Sequence, residues 1–197
     1  MIYFFINLLS YFILKRNMCS LEKTKIIASS NDKFKIELVE KLSKKSQFEI
    51  FNISKDLEKI YGRNSMLNEQ NIDKYFNQST LPFIARYHNR IIGFIIGVPL
   101  EKFTNHSWVQ YDENLGKNNT LYTYAFIFKS DFRGKNGFAK TLKKIFSNWA
   151  KKRDYQYISG HINENFVNKS SSQLEIIKKF NTWYESKDPF VYYRRKI

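Results

Sequence analysis

Cysteine, histidine and proline are scarce in this chain of 197 residues, with one, three and three copies. The single cysteine, Cys19, can form no intramolecular disulfide, and zinc sites built from several cysteines are excluded. His88, His106 and His161 are too scattered along the sequence to suggest a metal site, so we expect no bound metal. A chain without internal disulfides fits a reducing compartment, and we expect a cytoplasmic protein.

Acidic residues are also few, because 18 Asp and Glu face 33 Lys and Arg, which gives a formal charge of +15. One explanation is an anionic partner, such as nucleic acid, a membrane surface or a phosphorylated cofactor. The other, which we favour, is a general bias of the sequence towards Lys, Asn, Ile, Phe and Tyr. Hydrophobic residues reach 43% and aromatic residues 17%, which is enough for one globular domain with a substantial core.

The chain begins with a short apolar run, residues 1–14, followed by Lys15 and Arg16. It falls short of the roughly 20 residues of a membrane-spanning helix, and a signal peptide carries its positive charge before the apolar run. A marginal anchor, a poor signal and an extension upstream of a start at Met18 all remain open, and we favour the extension. We therefore divide the chain into an extension and lead-in, residues 1–30, and one domain, residues 31–197.

Hydrophobic periodicity predicts alternating helices and strands along the domain. Ser54 and Ser170 are candidate helix caps, and the two-residue link His88-Asn89 predicts a hairpin. These elements indicate a mixed α/β or α+β fold, a single sheet covered by helices. The predicted helices are 33–45, 54–78 with a break near Gly62, 137–153 and 174–180; the predicted strands are 48–54, 81–87, 90–100, 120–128, 155–162 and a last pair within 181–196.

Two of only seven glycines lie three residues apart in the stretch DFRGKNGFAKTL, residues 131–142, between a predicted strand and a predicted helix. The first amides of a helix have no internal partner, and the helix dipole adds positive potential there. Glycines allow close backbone approach, so this loop predicts an anion site, usually for phosphate. The stretch matches neither the P-loop nor the Rossmann fingerprint.

With these residues and this order of elements, the chain resembles the GNAT superfamily of acyl-CoA-dependent N-acyltransferases. The family signature is Q/R-x-x-G-x-G/A, at a turn from strand to helix, and Arg133 to Ala139 match it with one departure. Three residues, rather than two, separate Arg133 from Gly137. Either the loop is one residue longer, which we prefer, or Asn136 replaces the glycine. The resemblance implies a mostly antiparallel central sheet, flanked by helices, with splayed central strands.

The resemblance also implies acetyl-CoA as co-substrate and a set of residues that would bind it. The loop amides would hold its pyrophosphate, the central strand would pair with its pantetheine arm, and Asn165 would contact it after the splayed strand. The cofactor-binding candidates are Phe126, Phe128, Arg133, Gly134, Lys135, Asn136, Gly137, Phe138, Ala139 and Asn165.

The implied reaction is transfer of the acetyl group to a primary amine by direct attack. Many members carry a glutamate on the central strand as the base, but residues 120–128 contain none. His161 is a candidate base and Tyr184 a candidate acid for the leaving thiolate. The acceptor is a small molecule or a protein, and the basic charge disfavours polycations such as polyamines.

A competing interpretation is a basic nucleic-acid-binding module without catalytic activity. It depends on five lysines of the predicted helix 137–153, together with the many aromatic residues. No known nucleic-acid motif is present, so we expect neither a nucleic-acid nor a membrane partner. A homodimer is one assembly open to the protein. The lysines are Lys140, Lys143, Lys144, Lys151 and Lys152.

Overall fold

The computed structural model describes residues 21–31, 33–62, 65–169, 173–186 and 188–197, and in this part of the chain one eight-stranded sheet is the main element. Its strand order is β1-β2-β3-β4-β5-β6-β8-β7, and only the β5–β6 pair is parallel. The mixed, mostly antiparallel sheet predicted from the sequence is thereby confirmed. The strands are β1 Lys23–Ser30, β2 Phe34–Lys41, β3 Leu81–Tyr87, β4 Arg90–Pro99, β5 Thr120–Phe128, β6 Tyr157–Asn163, β7 Glu175–Phe180 and β8 Phe190–Lys196.

Three α-helices within the described residues flank this sheet: α1 Lys44–Tyr61, α2 Ile72–Tyr75 and α3 Phe138–Lys152. A buried apolar cluster lies on each face of the sheet, one under α1 and one under α3. None of these helices is both long and apolar enough to cross a membrane. The apolar run 1–14, Cys19 and Ser170 lie outside the described residues.

The central part of the fold agrees with the sequence. The hairpin turns at His88 and Asn89, whose φ angles of 48° and 61° fit a two-residue link of type I′. The buried strand 120–128 is β5, and the apolar stripe after Gly137 forms α3, whose Phe138, Leu142 and Phe146 are buried. The predicted strand 155–162 is β6.

The predicted helix 33–45 is wrong, because residues 34–41 form β2 between β1 and β3. Ile36, Val39 and Leu42 have helical spacing, but Phe34, Ile36 and Leu38 also alternate as in a strand. These last three residues belong to the apolar cluster under α3. The lead-in, for which the sequence predicted no secondary structure, forms β1.

The predicted strand 48–54 is wrong as well, since these residues lie within α1. Ser43 caps this helix by accepting a hydrogen bond from the Ser46 amide at 3.2 Å. Ile50, Ile53 and Leu57 follow at helical spacing and are buried. Ser54 is therefore an interior residue of α1 and not its cap.

The predicted helix 174–180 is in fact β7, an edge strand paired with β8. Residues 164–169 form a 3-10 helix, and the tail contributes one strand, β8, together with an isolated bridge between Trp183 and Ser186. The seven residues of β8 pair with β6, which fixes β7 at the edge of the sheet.

Candidate functional site

The site begins where β5 and β6 separate. The two strands pair only from Thr120 to Tyr122 on β5, opposite Tyr157 to Ser159 on β6. Beyond Tyr122, β5 keeps β4 as its partner, while β6 continues with β8. Tyr124 is an extra residue in the register of β5 with β4, and such a bulge bends the strand at this point.

A cavity of about 860 Å³ opens between the separated strands. On the α3 side its wall carries four cationic side chains, Lys140, Lys143, Lys144 and Arg195. The wall on the α1 side is mostly aromatic and apolar, with several residues of the apolar cluster under α1. These residues are Leu57, Tyr61, Tyr122, Tyr124, Trp183 and Phe190.

The loop before α3 is built from left-handed backbone. Gly134, Asn136 and Gly137 have φ angles of 72°, 52° and 66°. A Cβ at either glycine would meet no atom within 4 Å, so these positions favour glycine for its φ angle and not for lack of space. Asn tolerates this conformation better than most residues, which explains how Asn136 fits into the longer loop.

The start of α3 is open to an anion. Its N-cap is Gly137, no side chain caps the helix, and no acidic residue lies in its first turn. Among the described residues, the amides of 134–137, Ala139 and Lys140 have no hydrogen-bond acceptor. Unpaired amides at the positive end of a helix form an anion site, and Ala139 and Lys140 also line the cavity.

Arg133 does not point its guanidinium at this anion site. Its Nε donates to the Phe128 carbonyl at 2.8 Å, and its Nη2 donates to Asp56 Oδ2 at 2.7 Å. The side chain therefore holds the loop against β5 and α1, and its role as a direct phosphate ligand stays a prediction.

Lys143 lies at the charged wall of the cavity. Its Nζ is 4.5 Å from the centroid of the Phe126 ring, which is within range of a cation–π contact. Burial, and then the nearby Arg195, lower the pKa of Lys143. Arg195 donates to Ser147 Oγ on α3 at 2.8 Å and so stays beside it.

His161 lies on β6, at the wall of the cavity. Its Nδ1 is 2.9 Å from the Tyr122 hydroxyl, and its ring stacks on Trp183 with centroids 3.5 Å apart. Burial holds the pKa of His161 well below its usual value, so the imidazole is neutral at pH 7. Its Nε2 is shielded from solvent and has no hydrogen-bond partner among the described residues.

Tyr184 also lines the cavity, from the turn closed by the Trp183–Ser186 bridge. Its φ of 51° is uncommon for a residue other than glycine, and such strain is often found at functional sites. Burial, followed by Tyr75, raises the pKa of the Tyr184 hydroxyl, which is therefore protonated at neutral pH. The residue as a whole is 61% exposed, so it lies at the open side of the cavity.

The predicted site residues fall into three groups. Phe126, Ala139, His161 and Tyr184 line the cavity. The loop residues Arg133, Gly134, Lys135, Asn136 and Gly137 precede the part of α3 that lines it. Phe128, Phe138 and Asn165 do not line it.

The residues outside the cavity have other contacts. Phe128 is buried opposite Gly93, and the Phe138 ring stacks on Phe34 with centroids 4.4 Å apart. Asn165 lies in the 3-10 helix after β6, where its amide donates to Asn163 Oδ1. The sequence did not single out Tyr124, Trp183 or Arg195, since only the separation of two strands distant in sequence brings them to the cavity.

No protein-family model matches this sequence, and no curated protein matches it either. Solved structures do match. The GCN5-related N-acetyltransferase from Kribbella flavida has a TM-score of 0.61 and 12% identity, over 85% of this chain and 100% of that one. The fold is that of the GNAT N-acetyltransferases.

Two further structures have the same GNAT fold. The ribosomal-protein-S18-alanine N-acetyltransferase from Escherichia coli has a TM-score of 0.58 and 10% identity, over 83% of this chain and 94% of that one. The GNAT family acetyltransferase from Elizabethkingia anophelis, with acetyl-CoA bound, has a TM-score of 0.52 and 13% identity, over 85% of this chain and 100% of that one.

Proposed function

We propose that the protein is an N-acetyltransferase that transfers an acetyl group from acetyl-CoA to a primary amine. The observation that carries this proposal is the meeting of two features at one cavity. An uncapped helix start with unpaired amides forms one end, and the gap between β5 and β6 forms the body. An anion site beside an open strand edge suits a ligand with a pyrophosphate and a long amide-bearing arm.

The residues of this chain would divide the binding of acetyl-CoA between them. The amides from Gly134 to Gly137, with those of Ala139 and Lys140, would accept the pyrophosphate. The backbone of β5 around Phe126 would pair with the pantetheine arm, since β6 has left that edge. Lys143 and Arg195 would neutralise phosphate charge at the α3 wall. The Elizabethkingia anophelis neighbour has acetyl-CoA bound, which agrees with this proposal.

The reaction that such a site supports is direct aminolysis of a thioester. A bond forms between the amine nitrogen and the carbonyl carbon, the carbon–sulfur bond breaks, the amine loses a proton and the thiolate gains one. No carboxylate of the described residues lines the cavity, so the base must be another group. We propose neutral His161 for this role, and Tyr184, which keeps its proton at neutral pH, as the acid.

The nucleic-acid interpretation gains no support from the geometry. Lys140, Lys143 and Lys144 are exposed, but they line the cavity and so can contribute to its anion site. We place the protein in the cytoplasm, because its lone cysteine can form no intramolecular disulfide.

Thermal unfolding with and without acetyl-CoA tests the proposal. A ligand that binds only the folded state at about 100 times its Kd stabilises it by about 2.7 kcal/mol, which for a chain of this size is a Tm rise of roughly 5–10 °C. Gly137→Asp should abolish that rise, because it places a negative charge among the amides.

Gly116→Asp is the matched control, because Gly116 has a φ of 86°, has open space around it and does not line the cavity. Both variants place an aspartate at a positive φ angle, so both lose intrinsic stability, but the Gly116 variant should keep the full response to acetyl-CoA. If acetyl-CoA does not raise the Tm of the parent protein, the proposed function is refuted.

A further inference from the structure

The described wall of the cavity contains four cationic side chains and no Asp or Glu. The residues that the structure does not describe include one acidic residue, Asp32. Three acids on neighbouring elements, Asp56, Glu164 and Glu185, do not line the cavity. Asp56 pairs with Arg133 and Glu164 with Lys179, while the Glu185 side chain lies over Gly62.

The charge is also unevenly distributed within the cavity. All four cations belong to the α3 side, where Arg195 is bonded to Ser147 and Lys143 contacts Phe126. The α1 side consists mostly of apolar and aromatic side chains, and its polar groups include the hydroxyls of Ser65 and of the tyrosines and the neutral imidazole of His161. If acetyl-CoA occupies the cationic side, the acceptor enters on the aromatic side.

We propose that the acceptor is a monoamine with an apolar or aromatic body and no second positive charge. This inference rests on the proposed function and names the substrate class of the same site. A second ammonium group would be taken out of water at the aromatic side, where no Asp or Glu of the described residues lines the cavity to pair with it, which is costly. Apolar substrate surface, in contrast, would be buried against Tyr61, Tyr124 and Trp183.

The aromatic side of the cavity also favours the neutral amine, which is the form that reacts. Burial disfavours the ammonium ion, so the bound amine loses its proton more readily than in water. An acceptor that enters already neutral needs only a weak base, which agrees with the absence of a carboxylate from β5.

Two matched pairs of amines test the proposal, with thiol release as the readout. Hexylamine is compared with 1,6-diaminohexane, and 2-phenylethylamine with 4-(2-aminoethyl)benzylamine, so that each pair differs by one added amine. We expect kcat/KM to be at least about tenfold higher for each monoamine, because the diamine brings an unpaired charge into the site.

Ile60→Glu adds a carboxylate to the α1 wall, at a position that is 44% exposed and so tolerates the change. Compared with Ile60→Gln, it should shift the ratio of rates towards the diamine by about fivefold or more, because opposite charges then meet at the acceptor end.

The outcomes separate the inference from the proposed function. If acetyl-CoA does not raise the Tm of the parent protein, both the proposed function and the substrate class are overturned. A normal response to acetyl-CoA, with diamines used at least as well as monoamines or with no transfer to either monoamine, would overturn the substrate class alone. An unchanged ratio in Ile60→Glu would overturn the assignment of the α1 side as the acceptor end.

Discussion

Arg133 and Asp56 form an ion pair that joins the loop before α3 to α1, with Nη2 2.7 Å from Oδ2. Asp56 also accepts a hydrogen bond from Lys59 at 2.8 Å, and these two cations lower the pKa of its carboxyl group, Lys59 more than Arg133. The arginine at the start of the glycine loop therefore has a positioning role in addition to any contact with an anion.

Asp56→Asn should weaken acetyl-CoA binding while leaving the fold nearly intact. Arg133 is 48% and Asp56 26% exposed, and exposed pairs of this kind contribute only about 0.2–1 kcal/mol. We expect a rise in the Kd for acetyl-CoA of about two- to fivefold, because the loop amides lose part of their support. Asp73→Asn, an exposed acid on α2, is the control, and an equal change in both variants would contradict the positioning role.

The central strands, the hairpin and α3 were predictable because their signals are local and strong. The pair His88-Asn89 supplies the left-handed turn, residues 120–128 form a continuous apolar or β-prone run, and Phe138, Leu142 and Phe146 repeat at one helical spacing. The glycine loop was recognisable because Gly134 and Gly137 precede that helix directly.

The predictions for residues 33–45 and 48–54 are wrong because short apolar patterns fit two periods. Ile36, Val39 and Leu42 suit a helix, but pairing with β1 and β3 decides for a strand. In the following segment, Phe48 suggested a strand, yet it is 67% exposed on α1. Ser43 carries a local signal for the true helix start, because serine is a favoured N-cap residue.

The site itself could be predicted only in part. The loop follows from the sequence, but the cavity depends on where β5 and β6 separate, and the paired residues of these strands are 37 positions apart in sequence. Tyr122 and His161 lie 39 residues apart, and no local pattern indicates their hydrogen bond.

Asp112 and Glu175 both bind Arg194, and their substitution should separate a buried pair from an exposed one. The Asp112 side chain is fully buried and also accepts from the Tyr192 hydroxyl, whereas Glu175 is 55% exposed. Asp112→Ala should destabilise the fold by about 3–5 kcal/mol, because it leaves a buried cation and a buried hydroxyl without a partner.

Glu175→Ala provides the matched comparison on the same arginine. It should cost less than about 1 kcal/mol, because water replaces the lost carboxylate. Urea unfolding of both variants measures the difference. Similar losses of stability would show that Asp112, in the segment between β4 and β5, does not anchor that segment to β8.

Gly93 and Gly97 on β4 both lie close to their neighbours, but the consequences of adding a methyl group should differ. At Gly93 a Cβ would lie 2.6 Å from the Phe128 ring and 2.8 Å from the Ile127 carbonyl oxygen. At Gly97 its nearest neighbours are the side chains of Leu121 and Phe146, which can rotate.

Gly93→Ala should therefore destabilise the protein more than Gly97→Ala. Overpacking typically costs about 1–3 kcal/mol, and the Gly93 variant should reach the upper end because backbone in β5 must move. Chemical denaturation measures both, and a smaller loss for Gly93→Ala would show that β5 is free to shift at Ile127.

His161 should make the stability of the fold depend on pH below its ordinary pKa of 6.5. Burial lowers the pKa of the folded form, so the unfolded chain binds the proton more readily as the pH falls. The stability is fully present above about pH 6.5 and is lost progressively below it, by at most about 1.4 kcal/mol per pH unit. His161→Phe, which can keep the stack on Trp183, should remove that part of the decline. Urea unfolding at about pH 7.5 and about pH 5 measures the difference, with His106→Gln, at an exposed histidine, as the control. An equal acid-side decline in the parent protein and His161→Phe would show that the imidazole is already charged in the folded state.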